Sequence, residues 1–361
     1  MQSRSRECYA VVGFSLLMGD ARNRWMWASL AAAGALAGGV AAQRRYKKRI
    51  AEDPERAVLS AELGGRSLKI RSADGTTLNA RAFGPEDGQP VVLAHGWTES
   101  LGFWIYQIRA LSDLGLRVIA HDLRGHGESE PAVDDDYSIE RFGEDLEAVL
   151  EAFVVESRRA VVAGHSLGAM AIAAWARGHD VERRVGATAL INTGVGDLVA
   201  ESLLLPLPRV TQALNRTIAI HGFLGARAPL PRFSTPLTAA ALRYIAFGPA
   251  ATPAQVAYFE RMLIACPPDV RATVGMALSE LELHDDLPRL TVPTIVIGGE
   301  DDRLTPPSHA RRIAELLPQL ERLIILPETG HMAPLERHQE IANSIAELAI
   351  KVSSRPGAVH A

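Results

Sequence analysis

Cysteine is scarce in this chain of 361 residues: Cys8 and Cys266 are the only two, and they form neither a disulfide framework nor a metal-ligand spacing. Excess charge of one sign is also missing. The formal net charge is −4, and no domain-sized span mixes dense Lys and Arg with aromatics, which excludes a nucleic-acid-binding surface of the usual kind. Internal repeats are absent too, which excludes a solenoid or propeller. What remains is ordinary for a globular protein with a full core, at 47% hydrophobic and 22% charged residues. Length alone suggests about two domains, or one α/β domain carrying an insertion.

The first fifty residues differ from the rest. "WMWASLAAAGALAGGVAA" (Trp25–Ala42) is an uncharged apolar run of about the length that crosses a bilayer as a helix. Arg22 and Arg24 precede it; Arg44, Arg45, Lys47, Lys48 and Arg49 follow it. A signal peptide cut after Val40-Ala41-Ala42 is the competing reading, but dense positive charge at the start of the mature chain disfavours export. A buried helix would have little large apolar surface to pack. The expectation is a single-pass anchor within residues 1–50, spanning 25–42. The heavier cationic flank follows the helix, so the positive-inside rule puts the C-terminal part in the cytoplasm. Cys8 and Cys266 would then lie on opposite sides of the membrane.

Residues 51–66 read as a polar linker. "RSLKIRS" and "TTLNARAF" alternate in polarity and are joined through Ala73-Asp74-Gly75, a hairpin pattern. Then come short, nearly continuous apolar runs: "PVVLAH", "RVIAHD", "AVVAGH", "GATALIN", "PTIVIGG" and "RLIILP". Helical patterns lie between most of them, over Leu101–Leu114, Ile139–Ser157, Leu167–His179, Pro306–Leu317 and Pro334–Val352. Apolar strands alternating with amphipathic helices predict an α/β fold whose mostly parallel sheet is covered on both faces. The core is expected over 67–192 and 291–352, with a flexible tail at 353–361. Residues 193–290 break the alternation. They are rich in Leu, Ala and Pro and read as a helical cap over the carboxyl ends of the strands, where open α/β sheets take their ligands.

One junction invites chemistry. "AVVAGH" runs into Ser166, and "LGAMAIAAWAR" follows as a helix, with Gly164 and Gly168 as the small flanks that let a sharp turn close. A serine on such a strand–turn–helix elbow stands exposed above the sheet, with a helix N-terminus behind it. Its hydroxyl needs a base and an orienting acid. His331 in "LPETGHMAPLE" and the acids of "VIGGEDDRLTPP" lie in loops after later strands, in the order Ser, acid, His. Asp302 is preferred to Asp301 on its spacing from Gly299 and the following "RLTP". Two backbone N–H groups are expected at the oxyanion: Leu167, next to the serine, and Trp97 in "LAHGWTES".

Taken together, "HGWTES", "DLRGHGES", "GHSLGAM", "GGEDDRLTPP" and "ETGHMAPLE" resemble the α/β-hydrolase superfamily, and more narrowly its bacterial haloperoxidase/esterase-like branch with a helical cap. The resemblance runs from about Leu68 to Val352. It implies Ser166 as nucleophile, His331 as base, Asp302 as acid and oxyanion amides at Trp97 and Leu167. It makes the "DLRGHGES" turn architectural, with no catalytic role for His126. No cofactor or metal is implied, because Asp301 and Asp302 lack clustered His ligands. The expected reaction is hydrolysis of a carboxylic ester, or of a thioester or lactone, through an acyl-enzyme. The same scaffold also carries C–C bond hydrolysis, cofactor-free peroxidation or non-catalytic ligand binding. Trp97, Phe103 and Trp104 near the oxyanion loop, with the Leu-rich cap, point to an apolar or lipid-like substrate; packing under the cap is the alternative for these aromatics.

Overall fold

A computed structural model describes residues 37–202, 224–230 and 233–354, and divides the chain into two units, Met1–Glu52 and Asp53–Ala361. In the first unit, residues 37–51 are helical and largely exposed. Residues 25–36 of the expected anchor lie outside the described residues. Among the described residues no helix is long and apolar enough to cross a membrane.

The second unit is built on an eight-stranded sheet in the order β1-β2-β4-β3-β5-β6-β7-β8. Its strands are β1 (Arg66–Arg71), β2 (Thr77–Phe83), β3 (Pro90–Ala94), β4 (Arg117–His121), β5 (Ala160–His165), β6 (Val185–Ile191), β7 (Thr294–Gly299) and β8 (Leu320–Leu326). β1, β2 and β4 pair antiparallel, and every later pairing is parallel. The hairpin turns where expected, with Gly75 at φ 91°. The apolar runs earn their place by burial. Every residue of β3, β5, β6 and β7 is buried, as a sheet covered on both faces requires, whereas β1 and β8 at the edges are largely exposed.

The helices follow the periodicity with corrections at their ends. α1 (Ile105–Asp113) is preceded by a tight 3₁₀ turn, Leu101–Trp104. α2 (Ile139–Phe153) stops before the expected Ser157, and α3 (Leu167–Gly178) follows the serine. The described part of the insertion between β6 and β7 contains α4 (Pro236–Ala246), α5 (Pro253–Ala265) and α6 (Pro268–Ser279). Pro236, Pro253 and Pro268 start these helices rather than break them. Thr235 and Thr252 cap α4 and α5 by accepting from the backbone N–H three residues on, and proline occupies the first helical position. The "ESLLLPL" pattern lies outside the described residues from Leu203 on. α7 (Pro307–Leu316) and α8 (His338–Ser354) complete the core. The pattern read as one helix from Pro334 is split: Ala333–Glu336 forms a separate turn, broken at Arg337. The expected tail lies outside the described residues beyond Ser354.

One further expectation needs correcting. The 51–66 segment is polar but docked: Leu59 and Asp53 are buried, and Asp53 Oδ2 accepts from Ala254 N of α5 at 2.9 Å. Phe103 and Trp104 are fully buried, with the Phe103 ring tilted 30° against His165 at 4.7 Å between centroids, so of the two readings for these aromatics packing is the one that holds. Cys266 is also buried, which pushes its thiol pKa up to about 12 and makes it an inert apolar residue.

Candidate active site

Ser166 sits where β5 turns into α3, at φ 49° and ψ −115°. A non-glycine residue held at positive φ is strained by about 1–3 kcal/mol, which the surroundings must over-determine. They do so. Ser166 N donates to Ile191 O at 3.0 Å, and its carbonyl accepts from Ala169 N, Met170 N and the Thr193 hydroxyl. The small flanks are sterically required: a Cβ on Gly168 would lie 2.2 Å from Ala94 O, where α3 crosses β3.

His331 and Asp302 meet. The loops after β7 and β8 bring His331 Nδ1 to 2.8 Å from Asp302 Oδ2, while among the described residues Asp301 makes only a backbone bond, from its N–H to Thr329 O. Asp302 is held by five hydrogen bonds. Oδ2 also accepts from Asn192 Nδ2 and Thr305 Oγ1, and Oδ1 accepts from the N–H groups of Leu304 and Thr305. Burial alone would raise its pKa, but His331 and these donors outweigh burial and hold it below the usual carboxylate range. An ionised Asp302 can only accept, so His331 Nδ1 carries the hydrogen and donates it, which leaves Nε2 as the ring's basic nitrogen.

A second histidine–carboxylate pair lies against the first. Glu99 of the "HGWTES" loop accepts from Gly96 N at 2.5 Å and faces His165 Nδ1 at 3.2 Å. His165 Nε2 lies 2.9 Å from the carbonyl of His331. Both partners are acceptors, so both nitrogens of His165 donate and the ring is an imidazolium. Burial opposes that charge, but Glu99 and its hydrogen bond prevail and hold the His165 pKa above its ordinary value. Gly96 is fixed by this contact, because a Cβ there would lie 2.8 Å from His165 Nδ1. His95 contrasts with it. Its Nε2 accepts from Leu123 N and its Nδ1 meets Gly96 O, so it is neutral, and burial holds its pKa well below normal.

Glu336, in the turn after His331, accepts from Gly330 N and Gly248 N, and burial pushes its pKa up to about 7. The "DLRGHGES" turn is structural. Asp122 accepts from Leu101 N, Glu128 N and Asn79 Nδ2, while buried Arg124 bridges Asp145 and Asp74.

Ser166, His331 and Trp97 open onto one cavity of about 310 Å³. Leu167 is the first residue of α3, directly behind the serine. The walls are mostly aliphatic and come largely from the cap, including Leu224, Leu230, Leu242, Ile245 and Leu263. Sequence reasoning missed Glu99, His165, Asn192, Thr305 and Glu336. Four of the five lie inside or beside quoted motifs, and Asn192 ends the β6 run. The signal available was their position at strand carboxyl ends.

The comparisons agree with this architecture. Residues 89–338 match the family model described as the alpha/beta hydrolase fold. A non-heme chloroperoxidase of Burkholderia pyrrocinia is 30% identical over 246 residues, covering 67% of this chain and 84% of its own. A putative carbamate hydrolase of Variovorax paradoxus is 29% identical over 283 residues, covering 78% and 98%. Among solved structures, a hydrolase from Pseudomonas aeruginosa is similar with a TM-score of 0.62 and 28% identity, over 79% of this chain and 99% of its own. With the family model spanning well over half of its length, the chain belongs to the α/β-hydrolase fold family.

Proposed function

We propose that this α/β-hydrolase is a serine esterase that cleaves a carboxylic ester with an apolar group through an acyl-enzyme. The observation that carries the reading is the joint presence, on one apolar cavity, of a serine on a strained elbow and a histidine oriented by a buried carboxylate. His331 Nε2 takes the Ser166 proton as the oxygen attacks the carbonyl carbon. Asp302 stabilises the imidazolium that forms. The backbone N–H groups of Trp97 and Leu167 receive the oxyanion, with the N-terminus of α3 adding its dipole. His331 then protonates the leaving alcohol, and water repeats the sequence on the acyl-enzyme. Thioesters and lactones meet the same residues.

A panel of p-nitrophenyl esters of increasing acyl length tests the reading. Turnover that rises with chain length until the cavity is filled, and that vanishes in Ser166→Ala, is the expected result. No turnover of any ester by the wild type counts against it. We also propose a single-pass anchor at Trp25–Ala42, with the catalytic unit in the cytoplasm; the support is the uncharged run and its heavier cationic C-terminal flank. Retention of the full-length chain in the pellet after carbonate extraction of membranes is expected, and release into the supernatant refutes the anchor.

A further inference from the structure

Among the cap residues that line the cavity one carries a formal charge; the carboxylate on the opposite, oxyanion-loop side is Glu99, which is already engaged by His165. Arg271, in the first turn of α6, is 5% exposed and lines the cavity. Its Nη2 donates to Ala228 O at 2.6 Å and to Ala226 O at 3.3 Å, both in the cavity-lining segment 224–230. Its own carbonyl accepts from Trp97 Nε1 at 3.1 Å, which sets this corner beside the oxyanion loop.

Carbonyls satisfy hydrogen bonds but cancel no charge, and a buried cation is ordinarily paired with an anion. The other buried arginines of this fold obey that rule. Arg124 bridges Asp145 and Asp74 at 2.7 and 2.8 Å, and Arg184 faces Glu147 and Glu151, each at 3.7 Å. Arg271 makes no ion pair among the described residues; the nearest acid along the chain, Asp269, is exposed and faces Arg227. The sequence gives the reason. From Ser202 to Phe259 there is no Asp or Glu, so the cap stretches outside the described residues hold no carboxylate for it.

We propose that the missing counter-ion belongs to the substrate: the cavity takes an ester whose apolar body carries an anionic oxygen group, a carboxylate in the simplest case, and Arg271 binds that group while Ser166 meets the ester carbonyl. The proposal rests on the esterase reading and narrows it. A neutral ester fills the aliphatic walls and leaves the guanidinium uncompensated; an ω-carboxylated ester of equal length fills the walls and pairs with it. A charge-assisted hydrogen bond in such a site is worth about 10- to 100-fold in kcat/KM.

The experiment compares mono-p-nitrophenyl esters of dicarboxylic acids with p-nitrophenyl alkanoates of matched length, in the wild type, Arg271→Lys and Arg271→Met. A wild-type preference for the carboxylated ester of about 10-fold or more, falling towards one in Arg271→Met and partly kept in Arg271→Lys, is the expected outcome. A wild-type ratio near one, with neutral esters turned over, overturns the proposal and leaves the esterase reading standing. If no ester is turned over, the esterase reading fails separately, and calorimetry on the wild type decides the Arg271 claim. Octanoate binding tighter than octanol supports it, and equal binding overturns it. Should Arg271→Met not fold, the wild-type ratio and Arg271→Lys suffice: a ratio near one in the wild type still refutes the claim.

Discussion

Two buried histidines flank Ser166, each facing a carboxylate, and what holds the second ring nitrogen separates them. His331 gives Nδ1 to Asp302 and turns towards the cavity it shares with Ser166. His165 spends both nitrogens, Nδ1 on Glu99 and Nε2 on the carbonyl of His331 itself. A ring with both nitrogens donating has no lone pair for a serine proton, however close it lies in sequence. The lesson is that a histidine–carboxylate pair is not a base by composition; the uncommitted nitrogen makes it one. The second pair ties three loops together instead: the oxyanion loop through Glu99 and Gly96, the elbow through His165, and the base loop through the His331 carbonyl.

Breaking the first pair has the largest expected effect. Ser166→Ala and His331→Ala each lower kcat by about 10⁴- to 10⁶-fold, without His165 substituting for the lost base. Asp302→Asn, which leaves the histidine free to adopt the wrong tautomer, costs about 10⁴-fold. Steady-state rates on one p-nitrophenyl ester measure all three, and activity of His331→Ala within tenfold of the wild type would mean that the two histidines are misassigned.

Breaking the second pair is expected to do less. Glu99→Gln lowers kcat by about 10- to 100-fold, the scale of a small misplacement of reacting groups. It also has a pH signature. The folded-state pKa of His165 is raised, so the stability it contributes is fully present below the unfolded value and is lost as pH rises through the folded one. Urea midpoints of wild type and Glu99→Gln therefore differ most below the ordinary histidine pKa and converge as pH rises through the raised folded-state value. A gap that widens with rising pH would contradict the imidazolium.

Glu336 sharpens the comparison as a third carboxylate at the base loop, held by backbone N–H groups of Gly330 and Gly248. Its pKa is raised from the ordinary carboxylate value to about 7. The native state then holds a proton that the unfolded chain releases, so wild-type stability falls as pH rises from about 4.5 to 7, by an amount on the order of 2–3 kcal/mol. Glu336→Gln flattens that slope in chemical denaturation, and an unchanged slope would place the titration elsewhere.

What the sequence made legible follows from locality. The strands of the parallel core announce themselves because burial on both faces leaves them no polar alternation. Ser166 is legible because an elbow needs a strand, a turn and a helix in succession, all within the stretch from Ala160 to Ala176. His331 and Asp302 each lie in the loop that follows a β-strand, and their order along the chain narrows the pairing. Glu99 with His165, and Asn192 with Asp302, were not legible, because each pair joins residues far apart in the chain whose contact depends on strand order. Phe103 and Trp104 left two readings open for a related reason. An aromatic after an oxyanion loop points into the cavity or under it according to how the following turn closes, and the 3₁₀ turn here sends both under. The polar composition of 51–66 likewise hid the single buried Leu59 and the Asp53 contact that dock it.

The central claim, that Ser166 is an activated nucleophile, is tested most directly by intact-protein mass spectrometry after exposure to a fluorophosphonate, with peptide mapping of the adduct. The expected result is one adduct per chain on Ser166 in the wild type, with none in Ser166→Ala and greatly slowed labelling in His331→Ala. Equal labelling of wild type and Ser166→Ala, or an adduct mapped to another residue, would contradict it.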